Sequence, residues 1–368
     1  MKSENHASNI NREIPNLPAL FWPFPVHQSP YIELLEEGAI NFLDRFKLYP
    51  DIKSREWLVQ GRISGGLTGL LYPAGPFELQ QIAADFSALV FACDDYYCDE
   101  GPTRDNPGLL VAALVKIVRA IESPEYIIDS SNCYALAFRD LRIRMDKLAP
   151  PEQVALWADV VKGWFLAEVF KVHNVQSKIM PDLNDAALLR LLCGGGRAYV
   201  ALATIVRQIK ISPRTWEDRR LRAMAEMADM VLNWGSEIYS YYKEAHRSPG
   251  HDHNMVDVVA HHYGYTGTEI INGYVRIYEL LANRFIELRR AILTSTDDPV
   301  IREFVDSLVD YVGGGLVWSQ LTRRYLYVDV GPGQQVTFTC EGLTDIPRSI
   351  SSEAPPIPCI AWWWEVSK

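Results

Sequence analysis

Two segments of the chain gather side-chain oxygens at spacings that suit a divalent cation. The first is Phe91-Ala92-Cys93-Asp94-Asp95-Tyr96-Tyr97-Cys98-Asp99-Glu100, which follows the apolar run FSALVFA. Several carboxylates at the end of a buried helix are unfavourable unless cations neutralise them. Hard divalent ions take oxygen ligands, and Mg²⁺ commonly combines one or two carboxylates with substrate phosphate oxygens. Asp94 lies one helical turn from Phe91 and Val90, so it faces the same interior. Asp95 and Asp99 are four apart and are expected to share a neighbouring face. Taken alone, the cluster could equally be a solvated helix end running into GPTRDN. The second segment is Ser236-Glu237-Ile238-Tyr239-Ser240-Tyr241-Tyr242-Lys243-Glu244. Ser236, Ser240 and Glu244 are spaced i, i+4, i+8 and fall along one stripe of a helix. Two hydroxyls and a carboxylate form an oxygen site for one Mg²⁺, with Lys243 beside it to meet a phosphate. The alternative is a Tyr-rich amphipathic helix whose serines happen to align.

The elements that must carry these segments are helical. Residues 1–30 are rich in Asn and Pro and read as an irregular arm. Residues 31–330 read as one α-helical domain. Apolar residues recur at three- and four-residue spacing in IELLEEGAINFLDRF, LLVAALVKIVRAI and IYELLANRFIELRRAIL, with Pro and Gly between such runs. Strand-like alternation is scarce, no 20–50-residue repeat is visible, and ten or more helices joined by short loops are expected. Residues 331–368 form a Pro/Trp-rich tail with three adjacent tryptophans, Trp362, Trp363 and Trp364, a candidate active-site lid whose alternative is packing on the surface. The formal net charge of −10 argues against a nucleic-acid binder and against attachment to an anionic membrane. The six cysteines form no CxxC pair, which suits reduced thiols and a cytoplasmic location. The N-terminus lacks a signal-peptide core, and no uncharged apolar run of 18 residues predicts a spanning helix.

DDYYCDE and SEIYSYYKEAHRSPGHDHNMV together resemble the aspartate-rich motif and the NxxxSxxxE triad of bacterial class I terpene synthases. One position departs: Ser236 stands where the triad usually begins with Asn. The family's pyrophosphate-sensing arginine falls 46 residues ahead of the triad, at Arg190. Cys193 and Gly194 then resemble the linker and effector residues before a glycine-broken helix. TRRYLY supplies the family's Arg-Tyr pair as Arg324 and Tyr325, with Trp318 one to two turns earlier on the same expected helix. The resemblance implies an all-α bundle around an apolar cavity. It implies a cyclase that ionises a linear prenyl diphosphate, releases pyrophosphate and closes the cation into a terpene hydrocarbon or alcohol. Three Mg²⁺ are implied, with Mn²⁺ able to substitute. They would be held by Asp94, Asp95 and Asp99 on one side and by Ser236, Ser240 and Glu244 on the other. Arg190, Lys243, Arg324 and Tyr325 would bind diphosphate. Phe91 and Trp318 are the first choices to face the cation, with Phe86, Tyr199 and Tyr239 behind them; core packing is the alternative for each aromatic. Farnesyl diphosphate is the first choice of substrate. Geranylgeranyl diphosphate, or a C10/C11 substrate of the 2-methylisoborneol synthase type, are the alternatives. A homodimer is the family's typical assembly.

Three rival readings compete. His246, His251, His253, His261 and His262 suggest zinc, but no HExxH occurs, and solvated histidines near a closing loop suit the Pro-Gly turn better. A chain-elongating prenyltransferase would be expected to carry a second Asp-rich motif in place of the Ser/Ser/Glu triad. A non-catalytic helical binding protein would leave the buried carboxylates and Arg190 unexplained.

Overall fold

The computed structural model describes residues 16–99, 101–247, 253–331, 334–350 and 353–366. Its helices are α1 (Ile32–Phe46), α2 (Ile52–Gln60), α3 (Gly65–Leu71), α4 (Phe77–Cys93), α5 (Pro107–Glu122), α6 (Cys133–Leu148), α7 (Pro151–Ser177) and α8 (Leu183–Arg190). They continue with α9 (Gly196–Val206), α10 (Pro213–Trp216), α11 (Arg219–Arg247), α12 (Met255–Tyr263), α13 (Glu269–Ser295), α14 (Pro299–Leu321), α15 (Arg323–Leu326) and α16 (Pro358–Ala361). Local chemistry sets several boundaries. Asn106 caps α5 through Leu109 N–H, Asp298 caps α14 through Val300 N–H, and Pro occupies the first turn of both, where its missing donor costs nothing. Helix α4 is buried almost all round, from Leu79 to Cys93, which marks it as a core helix. It packs on α1, α3 and α6. Helix α11 packs on α13 and α14, and α7 lies against α5 and α9.

Short strands bind the two ends of the chain. They are β1 (Asn16–Leu17), β2 (Leu20–Phe21), β3 (Tyr327–Gly331), β4 (Gln334–Thr337), β5 (Thr339–Cys340) and β6 (Leu343–Thr344). β1 pairs parallel with β5 and β2 with β6, while β3 and β4 form an antiparallel pair. The arm therefore joins the tail, with Trp22 packed on Phe285 of α13.

The tail beyond β6 is anchored to the bundle at two polar points. Glu279, fully buried in α13, accepts from the Arg348 guanidinium at 2.8 Å and from the Arg348 and Ser349 backbone N–H groups. Trp363 is also fully buried; its indole N–H reaches Glu226 at 3.0 Å, and its carbonyl accepts from Arg284 at 2.7 Å. The tryptophan segment thus sits among α8, α11 and α13, and none of its described residues lines the cavity below. A large indole with one donor gains by filling a groove that offers a carboxylate. Trp363→Ala is expected to destabilise the fold by about 3–5 kcal/mol, measured as a lowered denaturation midpoint in urea at constant m-value.

Candidate active site

Helix α4 does not simply end at the acidic motif. Asp94–Asp99 continues it as a π-helical turn, whose wider coil and i→i+5 hydrogen bonds bring residues five apart together. Asp94 and Asp99 consequently point the same way, both lining the cavity, whereas Asp95 turns aside to a two-pronged ion pair with Arg324 at 2.5 and 3.0 Å. The expectation that Asp95 and Asp99 share a face is not met at the cavity: Asp99 lines it, whereas the Asp95 carboxylate is drawn to Arg324, which itself lines it. Glu100 lies outside the described residues.

The opposite wall is α11. Ser236, Ser240, Lys243 and Glu244 all line the same cavity, as the i, i+4, i+8 stripe requires. The serine hydroxyls donate to carbonyls of their own helix, Ser236 to Asn233 at 2.9 Å and Ser240 to Glu237 at 3.4 Å, and the Ser240 oxygen also accepts from the Asn254 amide at 3.5 Å. Asn254 closes this wall: its amide donates to Glu244 at 2.8 Å and to the Glu237 carbonyl at 3.0 Å, while its own oxygen caps α12.

Between the walls, α8 ends at Arg190 and the chain breaks before α9. Gly194 and Gly195 both adopt φ of 72°, a conformation that side-chain-bearing residues rarely hold. A Cβ on Gly196 would land on the Asp229 carboxylate. Gly194 N–H is thereby turned to Glu168 at 3.2 Å, and Cys193 is buried behind it. Arg190 forms an ion pair with Glu237, and its carbonyl accepts from Asn233 at 3.3 Å.

Arg324 and Tyr325 stand at the rim on α15. They do not share a helix with Trp318, as the sequence led us to expect. Thr322 breaks the run, donating its hydroxyl to the Gly61 carbonyl at 2.7 Å and accepting from Arg324 N–H at 3.2 Å. The three side chains still converge. Trp318 lies 5.6 Å from Phe91 and 5.4 Å from Tyr325 between ring centroids, and the Arg324 guanidinium stands 5.1 Å over Phe91. Leu67, Leu71, Val90 and Leu232 add apolar wall to a cavity of about 180 Å³. Tyr199 also lines it, but Phe86 and Tyr239 do not. Phe86 is packed among Phe138, Trp157 and Tyr199, and the Tyr239 hydroxyl accepts from Gln320, so both belong to the core.

Several site residues were not singled out from the sequence. Glu168 and Lys171 stand one turn apart on α7, and Lys171 bridges Glu168 and Asp99 at 2.9 Å each. An acid and a base inside the apolar run GWFLAEVFKVH were the available signal. His253 is half-buried and lines the cavity with Nδ1 lacking a hydrogen-bond partner, and burial, then Lys171, lower its pKa. It is not solvated as expected, whereas His261 and His262 are exposed. No histidine cluster for zinc occurs among the described residues; His251 lies outside them, and the side chain of His246 is likewise not described.

Electrostatics fit a cation site. Burial first, then the Asp99 charge, pushes the Asp94 carboxyl well up; Asp94 Oδ1 has no hydrogen bond and only a distant ion pair, 3.8 Å, to Lys171. Burial also works against the Asp99 charge, but Lys171 and Lys243 outweigh it and hold that carboxyl low. A carboxylate oxygen without a donor, facing two hydroxyls and a second carboxylate across a cavity, is a hard-oxygen donor set of the kind Mg²⁺ takes.

Asp229 is a different case. It is fully buried on α11 beneath Gly196, accepting from Asn233 at 2.8 Å and Tyr311 at 3.3 Å, and burial pushes it up to about 8 against the pull of Arg197 and Tyr311. A raised carboxyl pKa makes the folded state bind the proton more tightly than the unfolded one. Its contribution is therefore fully present below pH 3.8 and is lost as pH rises toward about 8. Asp229→Asn should accordingly gain stability relative to the parent by up to a few kcal/mol between pH 4 and pH 8, read from urea melts at both pH values.

Among solved structures, the chain superposes on the SVS_A2 protein from ancestral sequence reconstruction with a TM-score of 0.82 at 23% identity, covering 95% of this chain and 99% of that one. It superposes on linalool/nerolidol synthase from Streptomyces clavuligerus with a TM-score of 0.71 at 18% identity, covering 81% of this chain and 99% of that one. These likenesses define the class: an all-helical class I terpene synthase fold. By sequence the chain is 29% identical to (+)-(1(10)E,4E,6S,7R)-germacradien-6-ol synthase of Streptomyces pratensis, over 96% of this chain and 98% of that protein. It is 28% identical to bonnadiene synthase of Allokutzneria albata, over 95% and 98%. It is 24% identical to 4-epi-cubebol synthase ((2E,6E)-farnesyl diphosphate cyclizing) of Streptosporangium roseum, over 84% and 92%. Residues 85–279, more than half of the chain, match the terpene synthase family 2, C-terminal metal-binding model, and the chain belongs to that family. It is a terpene synthase, a lyase acting on a prenyl diphosphate with a divalent metal. Among the described residues no single helix is long and apolar enough to cross a membrane. The bent pair Leu183–Arg190 and Cys193–Val206 passes by length and composition, but it forms the kinked, largely buried wall described above.

Proposed function

We propose that this terpene cyclase takes farnesyl diphosphate, ionises it with Mg²⁺ and folds the cation against the cavity's apolar wall. One observation carries the reading: Asp94 and Asp99 on one side and Ser236, Ser240 and Glu244 on the other line a single cavity, with Arg190, Lys243, Arg324 and Tyr325 around it. Mg²⁺ ions, three in this reading, would be held by Asp94 with Asp99 and by Ser236, Ser240 and Glu244, and would neutralise charge developing on the departing diphosphate. Ser236 keeps an oxygen where the family usually has Asn, so the ligand type is preserved.

The protein's own groups do the rest. Arg190, Lys243, Arg324 and Tyr325 donate to diphosphate oxygens, fixing the leaving group and stabilising its growing charge. Releasing Arg190 from Glu237 and Arg324 from Asp95 converts ion pairs within the protein into ion pairs with the leaving group. The Gly194 kink carries backbone dipoles to the place where the allylic carbon is left positive. Phe91 and Trp318 offer aromatic faces to the cation, each contributing on the order of 1–2 kcal/mol when desolvated. Leu67, Leu71, Val90 and Leu232 keep water from quenching it. The farnesyl choice draws on the name of the S. roseum relative; a homodimer is the proposed assembly. The test is incubation of the protein with geranyl, farnesyl and geranylgeranyl diphosphates and Mg²⁺. Gas chromatography–mass spectrometry is expected to find a cyclic C15 hydrocarbon or alcohol from farnesyl diphosphate, with pyrophosphate released in equal amount. Cyclic product from the C20 substrate alone would overturn the chain-length assignment.

A further inference from the structure

The acidic wall contains a cation of its own. Lys171 Nζ lies 2.9 Å from Asp99 Oδ1, 2.9 Å from Glu168 Oε2 and 3.8 Å from Asp94 Oδ1. Glu168 is 1% exposed and is held in place by Trp164 Nε1–H at 2.8 Å and by Gly194 N–H at 3.2 Å. Ligand atoms of Asp94, Cys98 and Glu168 lie within 4.8 Å of one another, a spacing suited to one shared cation, and the Lys171 ammonium is set among the same carboxylates. Acids drawn together from the π-helical turn and from α7 repel one another, and a fixed ammonium lets them stay gathered. That ammonium equally repels a divalent ion arriving by itself. A diphosphate seated against Arg190, Lys243 and Arg324 changes the balance, because it shares the ion's charge and offers Lys171 another anion. Glu168, three residues before Lys171 on the same helix, retains the ammonium when Asp94 and Asp99 give it up.

We propose that Lys171 is a resident counter-cation of the Asp94–Asp99 wall, which makes divalent-metal binding there conditional on diphosphate. The inference rests on Asp94 and Asp99 as metal-facing residues. By linkage, whatever factor diphosphate adds to metal affinity, metal adds to diphosphate affinity.

The experiment titrates Mn²⁺, observed by electron paramagnetic resonance, into the full-length protein with and without inorganic pyrophosphate. It compares the parent, Lys171→Met, Lys171→Gln and the charge-retaining Lys171→Arg. The parent is expected to bind Mn²⁺ weakly alone and tightly with pyrophosphate. Both neutral variants should bind Mn²⁺ alone about tenfold tighter than the parent, with the gain from pyrophosphate shrinking by a similar factor. Lys171→Arg should follow the parent, which separates charge from packing; if the Met variant fails to fold, the Gln variant carries the comparison. Mn²⁺ affinity in the neutral variants equal to or weaker than the parent's, with the pyrophosphate response intact, overturns the role of Lys171 alone. A parent that takes no Mn²⁺ even with pyrophosphate overturns the metal assignment beneath it as well.

Discussion

Asp94→Asn is expected to lower turnover of the prenyl diphosphate by about 10³-fold or more, with the far-ultraviolet circular dichroism spectrum unchanged and the melting temperature equal or higher. Asp94 faces the cavity with no hydrogen bond to its Oδ1, so in the proposed mechanism its charge serves a cation and not the fold. Burial disfavours a charge at that carboxyl, so an amide of the same shape does not cost the fold a stabilising charge. Glu244→Ala is expected to act the same way from the opposite wall. Asp95→Asn should be milder, because Asp95 acts through Arg324. Product formation by gas chromatography–mass spectrometry and pyrophosphate release check all three. Turnover in Asp94→Asn within tenfold of the parent would remove the metal role.

Arg190→Ala should lose both activity and stability, and this pairing sets it apart from the first variant. The Glu237 side chain is 1% exposed; besides its ion pair with Arg190, its carboxylate accepts the Met255 N–H at 2.7 Å. Removing the guanidinium leaves a buried carboxylate without its counter-charge, which costs about 3–5 kcal/mol. In the proposed mechanism the same change also removes a donor to the leaving diphosphate, which is expected to slow ionisation by about 10²–10³-fold. Adding Glu237→Gln should restore most of the stability and none of the activity, as measured by urea denaturation and single-turnover product formation. Recovery of turnover in the double variant would place Arg190 in the fold alone.

The fold class followed from periodicity because core-facing helices must repeat their apolar residues every three to four positions. The α11 stripe was equally legible: Ser236, Ser240 and Glu244 lie within one helix, where spacing fixes direction. Arg190, the glycine break and the Arg324–Tyr325 pair were located by resemblance to a family and not by any local rule. The acidic motif was readable in composition but not in geometry, since the π-helical turn brings Asp94 and Asp99 to the cavity together while Arg324, far along the chain, draws Asp95 aside. Lys171 and Glu168 showed in the sequence only as an acid and a base inside an apolar run, a signal that does not say whether such a pair faces a cavity or solvent.

The sequence by itself determined the helices, the oxygen stripe on α11 and the presence of an acidic cluster after α4, each a matter of neighbours within one segment. The tertiary structure alone decided which acids look into the cavity, that Arg324 holds Asp95 and Arg190 holds Glu237, that Lys171 stands among the carboxylates, and that the tryptophan tail braces the bundle's outside. Those outcomes depend on pairs of side chains far apart in the chain, whose partnership is set by packing between helices and leaves no periodic trace in either segment.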